Sequence, residues 1–140
     1  MIIDNTDNAD YFLYKYNISK KDQKRLKIID NFYKEKINKN SFSENNINRF
    51  FYYFGNQAVD DILSFGIIKY KKFDENLINL INFFKNKKVP VMPISATDLM
   101  NKYDIPEGKQ LGVKLKMIEE KWVENKFNIS DQQINYIINN

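Results

Sequence analysis

Apolar residues in this chain recur every three to four positions rather than every second one, and this spacing predicts helices from end to end. Ser19 followed three residues later by Asp22 has the form of a capping box. Behind it Leu26, Ile29, Tyr33 and Ile37 form one stripe, which predicts a helix over about 20–37. Ser43 and Glu44 open a second helix whose Ile47, Phe50, Phe51 and Phe54 fall at i, i+3, i+4 and i+7 and are expected in the core, with Gly55 ending it or marking a bend. From Ala58 to Ile68, one face carries Val59, Ile62, Leu63, Gly66 and Ile67, with Gly66 small enough to admit a neighbouring helix closely. Lys69 to Phe73 reads as a basic connector. Asp74 then caps a helix with Leu77, Ile81 and Phe84 on one stripe, closed by Asn86-Lys87-Lys88, whose cations suit the negative end of the dipole.

Val89-Pro90-Val91-Met92-Pro93 must be extended, because each proline removes a backbone donor and biases its predecessor away from helix. This boundary predicts a helical body over 1–88 and a smaller helical tail over 89–140. In the tail, Ser95-Ala96-Thr97-Asp98 caps a short helix to Tyr103, and Asp104 to Gly108 is a turn. A longer helix over about 109–126 carries Leu111, Leu115, Ile118 and Trp122 on its apolar stripe. Ser130 with Gln133 caps a last helix that buries Ile134 and Ile137. The fold class expected is all-α.

Composition removes much chemistry. The chain has no Cys and no His, so disulfides, thiolate or imidazole ligands, Cys or Ser-His nucleophile systems and imidazole acid/base catalysis are excluded. Phosphate-binding glycine loops, alternating carboxylates for a metal and a glycine-flanked serine elbow are all missing, so no catalytic residue, metal or cofactor is assigned. Asp60 and Asp61 are adjacent, and neighbours on a helix point about 100° apart, so each is expected in a solvated or capping role. Glu119 and Glu120 are expected to pair with lysines across a turn. A net charge of +4 permits an anionic partner without demanding one, and only Arg25 and Arg49 of the 22 cations are arginine. Abundant Lys, Asn and Ile suggest AT-rich coding, which discounts lysine content as evidence of function. No run reaches the length of a membrane span, and the first residues lack the cationic and apolar regions of a signal peptide, so a cytoplasmic location is expected.

Ile105-Pro106-Glu107-Gly108-Lys109-Gln110-Leu111-Gly112 places a turn and two glycines four apart at the start of the long helix. Free amides of a first helical turn can hold a phosphate, and Lys109 and Lys116 lie opposite the apolar stripe, about 10 Å apart along the axis. Tight helix packing explains the glycines equally well. The run Phe50-Phe51-Tyr52-Tyr53-Phe54 can be read as a base-stacking surface, but its spacing favours core for the phenylalanines. Trp122 is expected in the core of the tail.

Three segments in order, 89–99, 105–112 and Leu115 through Trp122 to Phe127, resemble the C-terminal region of bacterial CCA-adding tRNA nucleotidyltransferases and related poly(A) polymerases. In that family a proline-containing segment leads to a Gly-x-Asp-Leu helix start, a Pro-Gly-rich turn, a Gly, and a helix with an aromatic near its end. Upstream, Arg49 to Asp61 resembles the body helix with its aromatic residue, Gly and small residue before an acidic pair. Ala96 stands where the family often has Gly, and Lys109 where it often has Pro. The resemblance implies an all-α body and tail that grip the elbow and T-arm side of tRNA by shape and phosphate contacts. Ser95, Thr97, Lys102, Gly108, Lys109, Lys114, Lys116 and Lys121 are the candidate RNA-binding residues on that reading. Nothing matches the family's catalytic head, so this chain is expected to be inactive alone and to need a separate head, its initiating Met and polar leader favouring an independent chain. The competing expectations are a helical protein-interaction module or a degenerate remnant without RNA binding, and, more weakly, a helix-hairpin-helix DNA-binding turn at 104–108.

Overall fold

The computed structural model describes residues 11, 14–70 and 74–140. Among them the chain is all-α. Helices α1 (Lys20–Lys34), α2 (Glu44–Tyr70), α3 (Glu75–Phe84), α4 (Ala96–Tyr103), α5 (Lys109–Glu124) and α6 (Asp131–Asn139) are joined by loops and one 3₁₀ turn (Lys39–Phe42), with no strand. The chain divides into two compact units, Met1–Lys88 and Val89–Asn140. No helix among the described residues is long and apolar enough to cross a membrane.

In the first unit, α1 begins where Ser19 Oγ accepts from the Asp22 amide at 3.2 Å and donates to the Asp22 carboxylate at 2.7 Å. It ends at Lys34, three residues short of the expected 37. Glu35 turns extended (φ −68°, ψ 150°), and Asn38 starts the 3₁₀ turn by accepting from the amides of Asn40 and Ser41. The buried face of α1 carries Ile29 and Tyr33. Helix α2 holds most of the core, with Ile47, Phe51, Val59, Ile62 and Leu63 fully buried and Phe51 packed on Phe84 of α3 at 5.0 Å. Helix α2 runs to Tyr70, so Lys69 and Tyr70 of the expected connector are helical; residues 71–73 lie outside the described residues.

Gly55 breaks α2 into two arms, with φ 82° and ψ 176°. That combination is open essentially to glycine alone, and no described residue lies within 4 Å of where its β-carbon would be, so conformation and not crowding requires the glycine here. Asn56, just past the break, donates from Nδ2 to the Lys85 carbonyl at 3.2 Å and so satisfies one of the free carbonyls ending α3. The break also overturns the expectation for Phe54. The apolar stripe of the first arm stops one residue before the backbone changes direction, which leaves Phe54 51% exposed, while Phe51 stays buried and Phe50 half-buried.

Asp61 is a second correction. It is neither solvated nor a cap: Arg25 on α1 donates to it from Nε at 2.8 Å and Nη2 at 2.7 Å, and Gln57 adds a third bond at 3.0 Å. Its side chain is only 9% exposed, and the two parallel N–H contacts pin α1 to the second arm of α2. Asp60 is exposed, as its helix position requires.

The second unit packs Leu99, Leu111, Ile118, Ile134 and Ile137 into one core. Trp122 is buried, its ring 5.1 Å from that of Phe127. Helix α5 stops at Glu124 because Lys126 and Phe127 adopt φ 55° and 66°, which lets the Phe127 amide donate back to the Trp122 carbonyl at 2.8 Å. The start of α4 is a reciprocal capping box between Ser95 and Asp98, and that of α6 one between Ser130 and Gln133.

Candidate nucleic-acid interface

The eight candidate residues all belong to the second unit, and its helices do not present them as one surface. Ser95 is committed to starting α4: its Oγ accepts from the Asp98 amide at 3.1 Å and donates to the Asp98 carboxylate at 2.7 Å. The hydroxyl bond to the carboxylate, followed by that from the Ser95 amide, lowers the Asp98 carboxyl from its ordinary value. Thr97, in the first turn of α4, and Lys102, in its last, are exposed.

On α5 the lysines part into two pairs. At 100° per residue Lys109 and Lys116 fall about 20° apart, Lys114 and Lys121 likewise, and the pairs are separated by about 140° around the helix. Lys109 and Lys116 are exposed opposite the buried Leu111, Ile118 and Trp122. Lys114 is half-buried and donates from Nζ to the Ile137 carbonyl at 2.8 Å, tying α5 to the end of α6, while Lys121 pairs with Glu124 at 3.5 Å. One nucleic-acid backbone can therefore lie along Lys109 and Lys116 but not along all four.

The start of α5 is open. Its N-cap is Gly108 (φ 150°), which offers no side-chain cap, and its first turn carries no acidic residue. Among the described residues no neighbouring element comes within 4 Å of where a β-carbon on Gly108 or Gly112 would sit, so tight helix packing among them does not account for these glycines. The first turn, at the positive end of the dipole, thus opens beside Lys109, with Lys116 two turns further along the same face and Val113 and Met117, 50% and 43% exposed, flanking it.

The first unit holds a concave surface along the aromatic run, for whose phenylalanines the sequence favours core over a base-stacking surface. An open groove of about 240 Å³ is lined by Asn31 and Phe32 of α1, by Glu35 just past its end, and by Arg49, Phe50, Tyr53 and Phe54 of α2, among others. Phe50 contacts Phe54 at 4.7 Å and Phe32 at 5.3 Å, and Tyr53 is 47% exposed. A signal is present in the sequence: one of two arginines in a lysine-rich chain sits beside the aromatic run.

Comparison with protein-family models, curated proteins and solved structures finds no match to this chain.

Proposed function

We propose that this chain is the non-catalytic, tRNA-holding part of a tRNA nucleotidyltransferase of the CCA-adding or poly(A) polymerase type, with catalysis supplied by a separate head. The observation that supports it is the open start of α5, where uncapped amides, accessible glycines and the Lys109 and Lys116 pair face solvent together. Such a face suits phosphates and carries no base-reading pattern, as expected of recognition by shape. The test is binding to full tRNA, an isolated acceptor stem and duplex DNA at several salt concentrations. Preference for tRNA, weakening steeply with salt, is the expected result. Substituting Lys109 and Lys116 together by Ala lowers the salt slope by about two, roughly one per lysine, whereas Lys121→Ala leaves it nearly unchanged. Incorporation of CTP or ATP into tRNA lacking its 3′ end by this chain alone would overturn the non-catalytic assignment.

The exposed Val113 and Met117 beside Lys116 favour a second reading, a helical protein-interaction module. Absence of tRNA binding from a folded chain would select it.

A further inference from the structure

The two arginines of this chain are placed very differently. Arg25 spends its guanidinium on Asp61, whereas Arg49 makes no hydrogen bond or ion pair with any described residue, and the same holds for the side chains of Asn31 and Glu35. These three unmatched polar groups surround the aromatic groove between α1 and the first arm of α2, where the rings of Tyr53 and Phe54 are half open to solvent. At about 240 Å³ the groove falls below the ~300–1,000 Å³ of pockets for drug-sized ligands and suits a single ring system.

We infer that this groove takes one unpaired nucleobase of an RNA strand, stacked on Phe54 and Phe50, its amino edge donating to Glu35 and its phosphate held by Arg49. An apolar side chain or lipid tail would cover the rings but strip water from a guanidinium, a carboxylate and an amide without replacing their bonds. A base with its phosphate supplies all the complements at once: a flat apolar face, edge donors and acceptors, and an anion. Arginine is suited to the last part, since its planar fork holds phosphate in two bonds. Glu35 gives the groove a preference. Adenine, cytosine and guanine carry an exocyclic amino group that a carboxylate can accept from, whereas uracil offers only its ring N3–H, flanked by two carbonyl oxygens that repel a carboxylate.

This inference rests on the reading of the chain as RNA-binding, and adds to it a contact on the first unit. The experiment is fluorescence anisotropy with labelled hexanucleotides of A, C and U, run beside full tRNA on the whole chain. The A and C hexamers bind several-fold more tightly than U. Phe54→Ala weakens the A hexamer roughly 5- to 150-fold, the worth of one stacked base. Arg49→Gln weakens it and flattens its salt dependence, and Glu35→Gln erases most of the preference over U. Phe83→Ala, an exposed ring outside this groove, leaves binding unchanged. Circular dichroism and a thermal melt establish that each variant is folded. Failure of the hexamers to bind, or binding indifferent to both Phe54→Ala and Arg49→Gln, overturns the groove, and equal binding of U overturns the role of Glu35. If tRNA still binds in that case, the tRNA reading stands without the groove. Hexamer binding that needs Phe54 and Arg49 but is not matched by tRNA upholds the groove and overturns the tRNA reading.

Discussion

The hydroxyl of Tyr33 occupies the space that a β-carbon on Gly66 would need, 2.7 Å from where that carbon would sit, and donates from there to the Ile62 carbonyl at 2.7 Å. The absence of a side chain at 66 is what allows α1 to seat a buried phenol over a turn of α2. Gly66→Ala is expected to destabilise the chain by about 1–3 kcal/mol through overpacking. On a Tyr33→Phe background the sign reverses. The next atoms, on Phe42 and Leu77, are at ordinary contact distances of 3.6 and 3.8 Å, so the helix-favouring alanine then gains about 0.5–1 kcal/mol. Urea titrations of the four proteins check both signs.

Burial pushes the Tyr33 phenol up from its ordinary value, so the folded state keeps its proton longer than the unfolded chain. The associated stability is fully present below pH ~10 and is lost as pH rises above that value. Alkaline unfolding followed by circular dichroism should show that Tyr33→Phe loses less of its remaining stability above pH ~10 than the parent chain does.

Removing Arg25 strands a carboxylate that is only 9% exposed, while Arg25 itself is 41% exposed. Arg25→Met is therefore expected to cost about 1–3 kcal/mol, between the values for surface and buried pairs. Arg25→Lys recovers only part of it, because an ammonium cannot reproduce two parallel N–H contacts. A double-mutant cycle with Asp61→Asn measures the coupling.

The depressed Asp98 carboxyl makes the start of α4 acid-sensitive. Its folded value lies below its unfolded one, so the associated stability is present above pH ~4 and disappears as pH falls through the folded value. Ser95→Ala removes the hydroxyl bond that is the largest cause of the shift, keeps the backbone amide bond, and should partly flatten the acid limb of the melting temperature against pH.

Two glycines with equally open surroundings should respond oppositely to alanine. Gly112 is an ordinary helical position, and Gly112→Ala stabilises by about 0.5–1 kcal/mol. At Gly55 the backbone conformation is nearly closed to a β-carbon, and Gly55→Ala costs about 1–3 kcal/mol. Thermal melts distinguish them. On the tRNA reading, Gly112→Ala also weakens tRNA, because a methyl group then stands where a phosphate backbone would approach.

The helix starts are readable because their determinants are local. Ser19, Asp74, Ser95 and Ser130 each bond an amide two or three residues ahead, a relation fixed by spacing alone. The partner of Asp61 is not readable in this way, since it lies 36 residues earlier on another helix. Scarcity of arginine is the only hint, because a guanidinium among lysines points to a two-bond acceptor. Phe54 escapes its expected place because helical periodicity holds only while the backbone keeps its direction, and the direction changes at Gly55. The division of the α5 lysines follows from 100° per residue and is implicit in the sequence, but the commitment of Lys114 to the Ile137 carbonyl depends on the packing of α6.

The reciprocal caps at Ser95 with Asp98 and at Ser130 with Gln133 have a consequence for how the second unit comes into being on the ribosome. Each involves residues no more than three apart, so the start of α4 or α6 is favoured as soon as that stretch emerges, and helices this short then persist once Leu99, Ile118 and Ile137 have met. Core formation then selects among few alignments of helices whose first residues are already chosen. Substitutions that loosen this core should leave a compact state whose helices still begin at residues 96 and 131, with side-chain order lost first.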